Sequence, residues 1–159
     1  MVKILFLCTG NSCRSQMAEG WARHLKRGVI EPYSAGIEPR RLDRRALSVM
    51  AEAGVDISAQ RSKHVDELRD VGFDYVVTVC GHAHENCPAY LGKSNVVHVG
   101  FDDPPKLAAS AESEGEALAH YRRVRDEIRA FVETLPDSLA RRSKEDGRPG
   151  AARRSRIVA

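Results

Sequence analysis

The chain has 159 residues, 30% of them charged and 42% hydrophobic, which suits one globular domain with a core of its own. Its formal net charge of +3 is unevenly spread: residues 137–159 hold seven of the Lys and Arg and only three of the Asp and Glu. No apolar run approaches the ~20 residues of a membrane span and the apolar start is too short for a secretory signal, so a cytoplasmic protein is expected, whose four cysteines serve catalysis or metal binding rather than structural disulfides.

The first predicted strand is Val2 to Leu7, apolar but for Lys3, and a helix is predicted over Gln16 to Arg27. Between them lies Cys8-Thr9-Gly10-Asn11-Ser12-Cys13-Arg14-Ser15. A cysteine at a strand end, five residues, an arginine and a helix start make a phosphate-type anion loop with a nucleophile at its base. Backbone N–H groups of Thr9, Gly10, Asn11, Ser12, Cys13 and Arg14 are expected to converge on a tetrahedral oxyanion, with the Arg14 fork adding a permanent charge. The same field favours a Cys8 thiolate, since helix N-termini and nearby cations lower a cysteine pKa from about 8.5 to roughly 3.5–7.5. Ser15 is expected to donate a hydrogen bond to that sulfur, and Gly10 to allow the sharp turn. Cys13 is expected to pack under the loop.

A short second strand is predicted within Val29 to Ala35, at an edge because of Pro32. A helix follows over Leu42 to Ala53, stopped by Gly54, with a short helix at Val65 to Arg69. Phe73 to Val79 reads as a strand covered on both faces, and Val96 to Val99 as a fourth. A long helix over about Ser113 to Leu135 ends at Pro136. Strands alternating with helices imply an α/β fold: a single domain, residues 1–136, with a four-stranded parallel sheet and helices on both faces. Ligands bind such sheets beyond the carboxyl ends of the strands, where Cys8, Cys80 and the Asp102-Asp103 pair all fall. Residues 137–159, rich in arginine and poor in apolar side chains, are expected to stay disordered.

Cys80 and Cys87 flank Gly81-His82-Ala83-His84-Glu85-Asn86. Two Cys and two His raise the possibility of zinc, but the spacing matches neither Cys-x2–4-Cys nor His-x3–5-His. A thiol–disulfide relay from Cys8 through Cys80 to Cys87 is the other reading, and it requires the loop carrying Cys87 to move. His82 and His84 are expected to be solvated.

Taken together, the Cys8 to Gly20 stretch, Tyr33-Ser34-Ala35-Gly36, Val76-Val77-Thr78-Val79-Cys80, Asn86-Cys87-Pro88 and Gly100-Phe101-Asp102-Asp103-Pro104 resemble the thioredoxin-coupled arsenate reductases of the low-molecular-weight tyrosine phosphatase superfamily. The resemblance implies that arsenate binds in the loop, Cys8 attacks arsenic, and Asp103 acts as general acid. Cys80 and then Cys87 carry the disulfide outward for thioredoxin to reduce, with no metal or other cofactor. Some relatives bind potassium near the positions of Asn11, Glu19 and Ser34. Arg61 and Lys63 stand where those relatives carry threonine and aspartate, so the Lys63 ammonium is expected to take the cation's place.

The nearest alternative is a low-molecular-weight tyrosine phosphatase with the same loop, nucleophile and acid, although Pro105-Lys106-Leu107 lacks the aromatic residues such enzymes use against the substrate ring. A zinc- or redox-responsive regulator is a further alternative. A monomer that binds neither nucleic acid nor membrane is expected.

Overall fold

In a computed structural model, which describes residues 1–145 and 154–158, the four expected strands form a parallel sheet in the order β2-β1-β3-β4. They are β1 (Val2–Cys8), β2 (Ile30–Gly36), β3 (Tyr75–Thr78) and β4 (Asn95–Gly100). Ile4, Leu5, Phe6 and Leu7 of β1 are all fully buried. Because successive strand residues face opposite sides, both faces of the sheet centre are covered. β2, with Pro32, lies at the edge, where its missing N–H costs no ladder bond.

Helix α1 (Arg14–Leu25) follows the loop directly. Its Met17, Ala18, Trp21 and Ala22 are buried, and Trp21 Nε1 donates to the Arg125 carbonyl at 3.1 Å on α5 (Glu114–Glu133). Gly20 lets α1 approach its neighbours, since a Cβ there would meet Ile57 Cγ2 at 2.6 Å. Helix α2 (Arg44–Glu52) is capped by Asp43, whose carboxylate accepts from the Arg45 and Ala46 N–H groups. It stops at Gly54, φ +82°, as its sequence implies.

Three short helical segments were not legible as such. They are α3 (Gly81–Glu85), a 3-10 turn at Ala89–Lys93, and α4 (Pro104–Ala108) with proline at its first position. The other 3-10 turn, Val65–Leu68, matches the expected short helix.

The region after Pro136 differs from the expected disordered extension. Asp137–Glu145 forms a helix, α6, and Arg154–Val158 a strand, β5, that pairs in parallel with β4 and makes the sheet five-stranded. The reason for α6 is local: Leu139 is fully buried and the Arg142 guanidinium lies 5.8 Å from the Phe131 ring centroid. One well-placed leucine offsets a basic composition. The rest of that stretch, residues 146–153 and 159, lies outside the described residues. Among the described residues no helix is long and apolar enough to cross a membrane.

Candidate active site

The sheet brings Cys8, at the end of β1, next to Cys80, just past the end of β3. Leu7 is in register with Thr78, and the Val79 N–H donates to the Leu7 carbonyl at 2.9 Å. The loop between Cys8 and α1 is held by its carbonyls. Those of Cys8, Thr9, Gly10 and Ser12 accept from the backbone N–H groups of Ile37, Glu38, Arg40 and Asp43 at 2.8–3.2 Å. A trans peptide unit points its N–H opposite its C=O, so this outer belt turns the N–H edges of the loop toward the cavity. Gly36 permits the belt: a Cβ there would lie 2.6 Å from the Thr9 carbonyl oxygen.

The sharp turn is made by Asn11, φ 47°, rather than by Gly10. Asparagine tolerates the left-handed region, and here its fully buried side chain donates to Ser15 Oγ at 2.9 Å and accepts from the Lys63 N–H at 3.0 Å. Gln16 Nε2 reaches both Asn11 oxygens. Ser15 Oγ accepts from Asn11, which leaves its own hydroxyl proton for the donation to the Cys8 sulfur that the sequence leads one to expect. The hydrogen bond from Asn11 also braces the loop between Cys8 and α1.

Cys8, Thr9, Gly10, Ser12, Cys13 and Arg14 line a cavity of about 480 Å³, which Cys80, His82 and Asp103 complete. Arg14, the first residue of α1, is largely buried. Its Nη1 donates to the Phe101 carbonyl at 2.9 Å and its Nη2 lies 3.8 Å from Asp103 Oδ2. Burial opposes the guanidinium charge, but Cys8, Asp103, Cys80 and Cys13 around it raise its pKa overall. The two adjacent aspartates separate cleanly. Asp103 faces Arg14 and the cavity, whereas Asp102 turns outward to Arg123 at 3.0 Å. Cys13 is buried at the cavity wall and its thiol is pushed up by that burial, in keeping with a packing role.

Cys8 and Cys80 are hydrogen-bonded to each other, and this changes the expected charge distribution. The Cys8 thiol is raised by its hydrogen bond to Cys80 and by burial, against the pull of Arg14. Cys80 is held down to about 5 by the hydrogen bond from Cys8, with further support from Thr9, the Ala83 N–H and Arg14. With one thiol raised and the other lowered, the pair as a whole carries a single thiolate and shares one proton. Sequence reasoning had the field on Cys8 right but lacked the second sulfur in contact with it.

Cys87 is half-buried beyond α3, and no disulfide links any of the four cysteines. The segment between Cys80 and Cys87 is a helical turn rather than a loose loop. Cys80 Sγ caps it by accepting from the Ala83 N–H at 3.4 Å. His82 is exposed, as expected, but His84 is buried. Thr78 Oγ1 lies 3.0 Å from Nδ1 of both His84 and His98, which ties α3 to β3 and β4. Nothing in the pattern Gly-His-Ala-His signals this, because it depends on His98 arriving from another strand. Among the described residues no three His, Cys, Asp or Glu side chains converge in a metal-holding group.

The positions that suggested potassium do not fit an alkali cation. Glu19 accepts from Ser34 Oγ at 2.7 Å and pairs with Arg23 at 3.0 Å, while Asn11 Oδ1 is taken by two N–H donors. Lys63 Nζ donates to the Arg61 carbonyl at 3.1 Å and acts on Glu19 only over a longer range. Arg23, not Lys63, is thus the cation in direct contact with Glu19.

Residues 3–145 match the family model described as low molecular weight phosphotyrosine protein phosphatase, and the chain belongs to that family. The match runs on across α6. Within the family, it is 47% identical over 135 residues to an arsenate reductase of Halalkalibacterium halodurans, covering 85% of this chain and 95% of that one. A solved arsenate reductase in a phosphate-binding state superposes with a TM-score of 0.70 at 34% identity, over 85% of this chain and 96% of the other. The thioredoxin-dependent arsenate reductase of Corynebacterium glutamicum superposes with a TM-score of 0.62 at 27% identity, over 89% of this chain and 63% of that one.

Proposed function

We propose that this protein reduces arsenate to arsenite through Cys8, Cys80 and Cys87, with thioredoxin as the electron donor. The observation that carries the reading is the hydrogen-bonded contact between Cys8 and Cys80 at the base of an anion cavity. Hydrolysis of a phosphate ester needs one nucleophilic sulfur there, whereas reduction needs a second within reach. The relatedness to arsenate reductases supports the substrate, and the name of the C. glutamicum relative supports the donor.

The route keeps atoms and electrons in balance. Arsenate binds between the loop N–H groups and Arg14. Its negative charge competes with the shared thiolate, and the proton that the two sulfurs share settles on Cys80. The Cys8 thiolate then forms an S–As bond while Asp103 protonates the departing oxygen. Cys80 gives up its proton to solvent and, as a thiolate, attacks the Cys8 sulfur; the S–S bond forms, the S–As bond breaks, and the electron pair stays on arsenic, which leaves as arsenite. Cys87 then attacks Cys80, freeing Cys8 and leaving a Cys80–Cys87 disulfide for the thioredoxin dithiol. That last exchange requires α3 to open, since it spans the two cysteines.

A coupled assay with arsenate, thioredoxin, thioredoxin reductase and NADPH tests the reading. Cys8→Ser, Cys80→Ser and Cys87→Ser are all expected to fail at multiple turnover. Equal steady-state rates for wild type and Cys87→Ser would rule the relay out.

A further inference from the structure

Thr9 stands between a thiol of the relay and a histidine that the mechanism has not used. Its Oγ1 lies 3.2 Å from Cys80 Sγ and 3.0 Å from His82 Nδ1. A hydroxyl carries one proton, so Thr9 donates to only one of these partners at a time. When Cys80 is a thiolate, Thr9 donates to sulfur and accepts an N–H from His82. When Cys80 is a thiol, Thr9 accepts the S–H and donates to an unprotonated Nδ1. The two states interconvert by moving a proton from Sγ to Oγ1 while the hydroxyl proton passes to Nδ1. The sum is thiol plus imidazole giving thiolate plus imidazolium. His82 is exposed, so its other nitrogen can return the proton to water.

The relay needs such an exit. Attack on arsenate puts the shared proton on Cys80, and the next step requires a Cys80 thiolate. The hydrogen-bond partners of Cys80 are Cys8, Thr9 and the Ala83 N–H. Cys8 is by then bonded to arsenic, and a backbone N–H cannot accept a proton. Among the described residues, Thr9 is the partner that leads outward, to His82. His84, the other histidine of α3, turns instead to Thr78.

We propose that His82, acting through the Thr9 hydroxyl, is the positioning residue that takes the proton from Cys80 between the two chemical steps. This rests on the three-cysteine reading above. The exit needs an imidazole free to accept a proton, so losing it slows disulfide formation and leaves the attack on arsenate, which precedes it, unaffected. Other charged groups facing the same cavity are Arg14 at the start of α1, Glu38 and Arg40 after β2, the α2 cap Asp43, and Asp103 before α4; Glu85 shares α3 with His82. All are retained in a His82 variant, which isolates the imidazole.

The test uses the full chain carrying Cys87→Ser, which stops the reaction at Cys8–Cys80, with rapid-quench measurement of arsenite and disulfide across about pH 5 to 8, where histidine side chains change charge. The rate of disulfide formation is expected to rise with pH. His82→Asn, which keeps a polar atom near Nδ1 without a titration, is expected to flatten that rise and slow the step by about 10²-fold at the upper end. Thr9→Val should flatten it even with His82 present, and the double variant should be no slower than Thr9→Val alone. An unchanged pH profile in His82→Asn would overturn the proposal.

A second readout, alkylation of Cys80 against pH without arsenate, separates the two ideas. If Cys87→Ser releases no arsenite at any pH yet His82→Asn shifts Cys80 alkylation, the relay falls and the His82–Thr9–Cys80 link stands. If no arsenite is released and Cys80 alkylation is unshifted, both fall; if arsenite is released and alkylation is unshifted, the link alone falls.

Discussion

Arg14 Nη1 donates to the carbonyl oxygen of Phe101 at 2.9 Å, so the guanidinium that lines the cavity beside Cys8 is anchored just past the end of β4. A lysine has no planar fork with which to hold both that carbonyl and an oxyanion. Arg14→Lys is expected to weaken phosphate binding at least about tenfold, equivalent to about 1.4 kcal/mol, as measured by calorimetry. The variant should also lose about 1–3 kcal/mol of stability in denaturant titration, because a part-buried carbonyl loses its donor.

The separation of Asp102 from Asp103 gives a paired prediction. Asp103→Asn removes the only carboxylate set beside Arg14 at the mouth of the cavity among the described residues, and turnover with arsenate should fall by about 10²–10⁴-fold. Asp102→Asn breaks an exposed ion pair with Arg123, which is worth about 0–1 kcal/mol. Its turnover should stay within about twofold of wild type. Steady-state rates of the two variants, measured side by side, decide between the neighbours.

The sequence makes the cysteine loop and the four-stranded order of elements legible, because each is written in consecutive residues. What it hides depends on partners that meet only in the fold. The lowered Cys80 pKa requires Cys8 beside it, and the buried His84 requires His98 from β4. Arg23 sits in the same helix turn as Glu19, so the i, i+4 spacing offered a signal for that pair; the choice between Arg23 and Lys63 still needed coordinates. The helix α6 was missed because its composition is basic and its packing rests on Leu139.

Charge on the cysteine pair predicts a pH dependence. Cys80 is depressed to about 5 chiefly by the hydrogen bond from Cys8, so its thiolate should be present well below the ordinary thiol range of about 8.5. Because the folded value is lower than the unfolded one, the associated stabilisation is full above the unfolded value and is lost as pH falls through about 5. Cys8→Ala removes the largest support, and the midpoint for thiolate absorbance of Cys80 at 240 nm should move up. A midpoint unchanged by Cys8→Ala would contradict the shared-proton picture.

The alkali-cation positions are filled by the protein's own donors. Glu19 is held by Ser34 and Arg23, and Lys63 caps the Arg61 carbonyl. Thermal melts in potassium and in sodium chloride at equal ionic strength should therefore give the same midpoint. A rise specific to potassium would mean that Arg23 or Lys63 yields its place.

The most direct test of the whole account is peptide mapping by mass spectrometry of Cys87→Ser protein after exposure to excess arsenate, with arsenite counted in the same sample. The account predicts a Cys8–Cys80 disulfide and about one arsenite per chain, as expected for a relay halted before its last exchange. Free Cys8 and Cys80 with no arsenite released would contradict it.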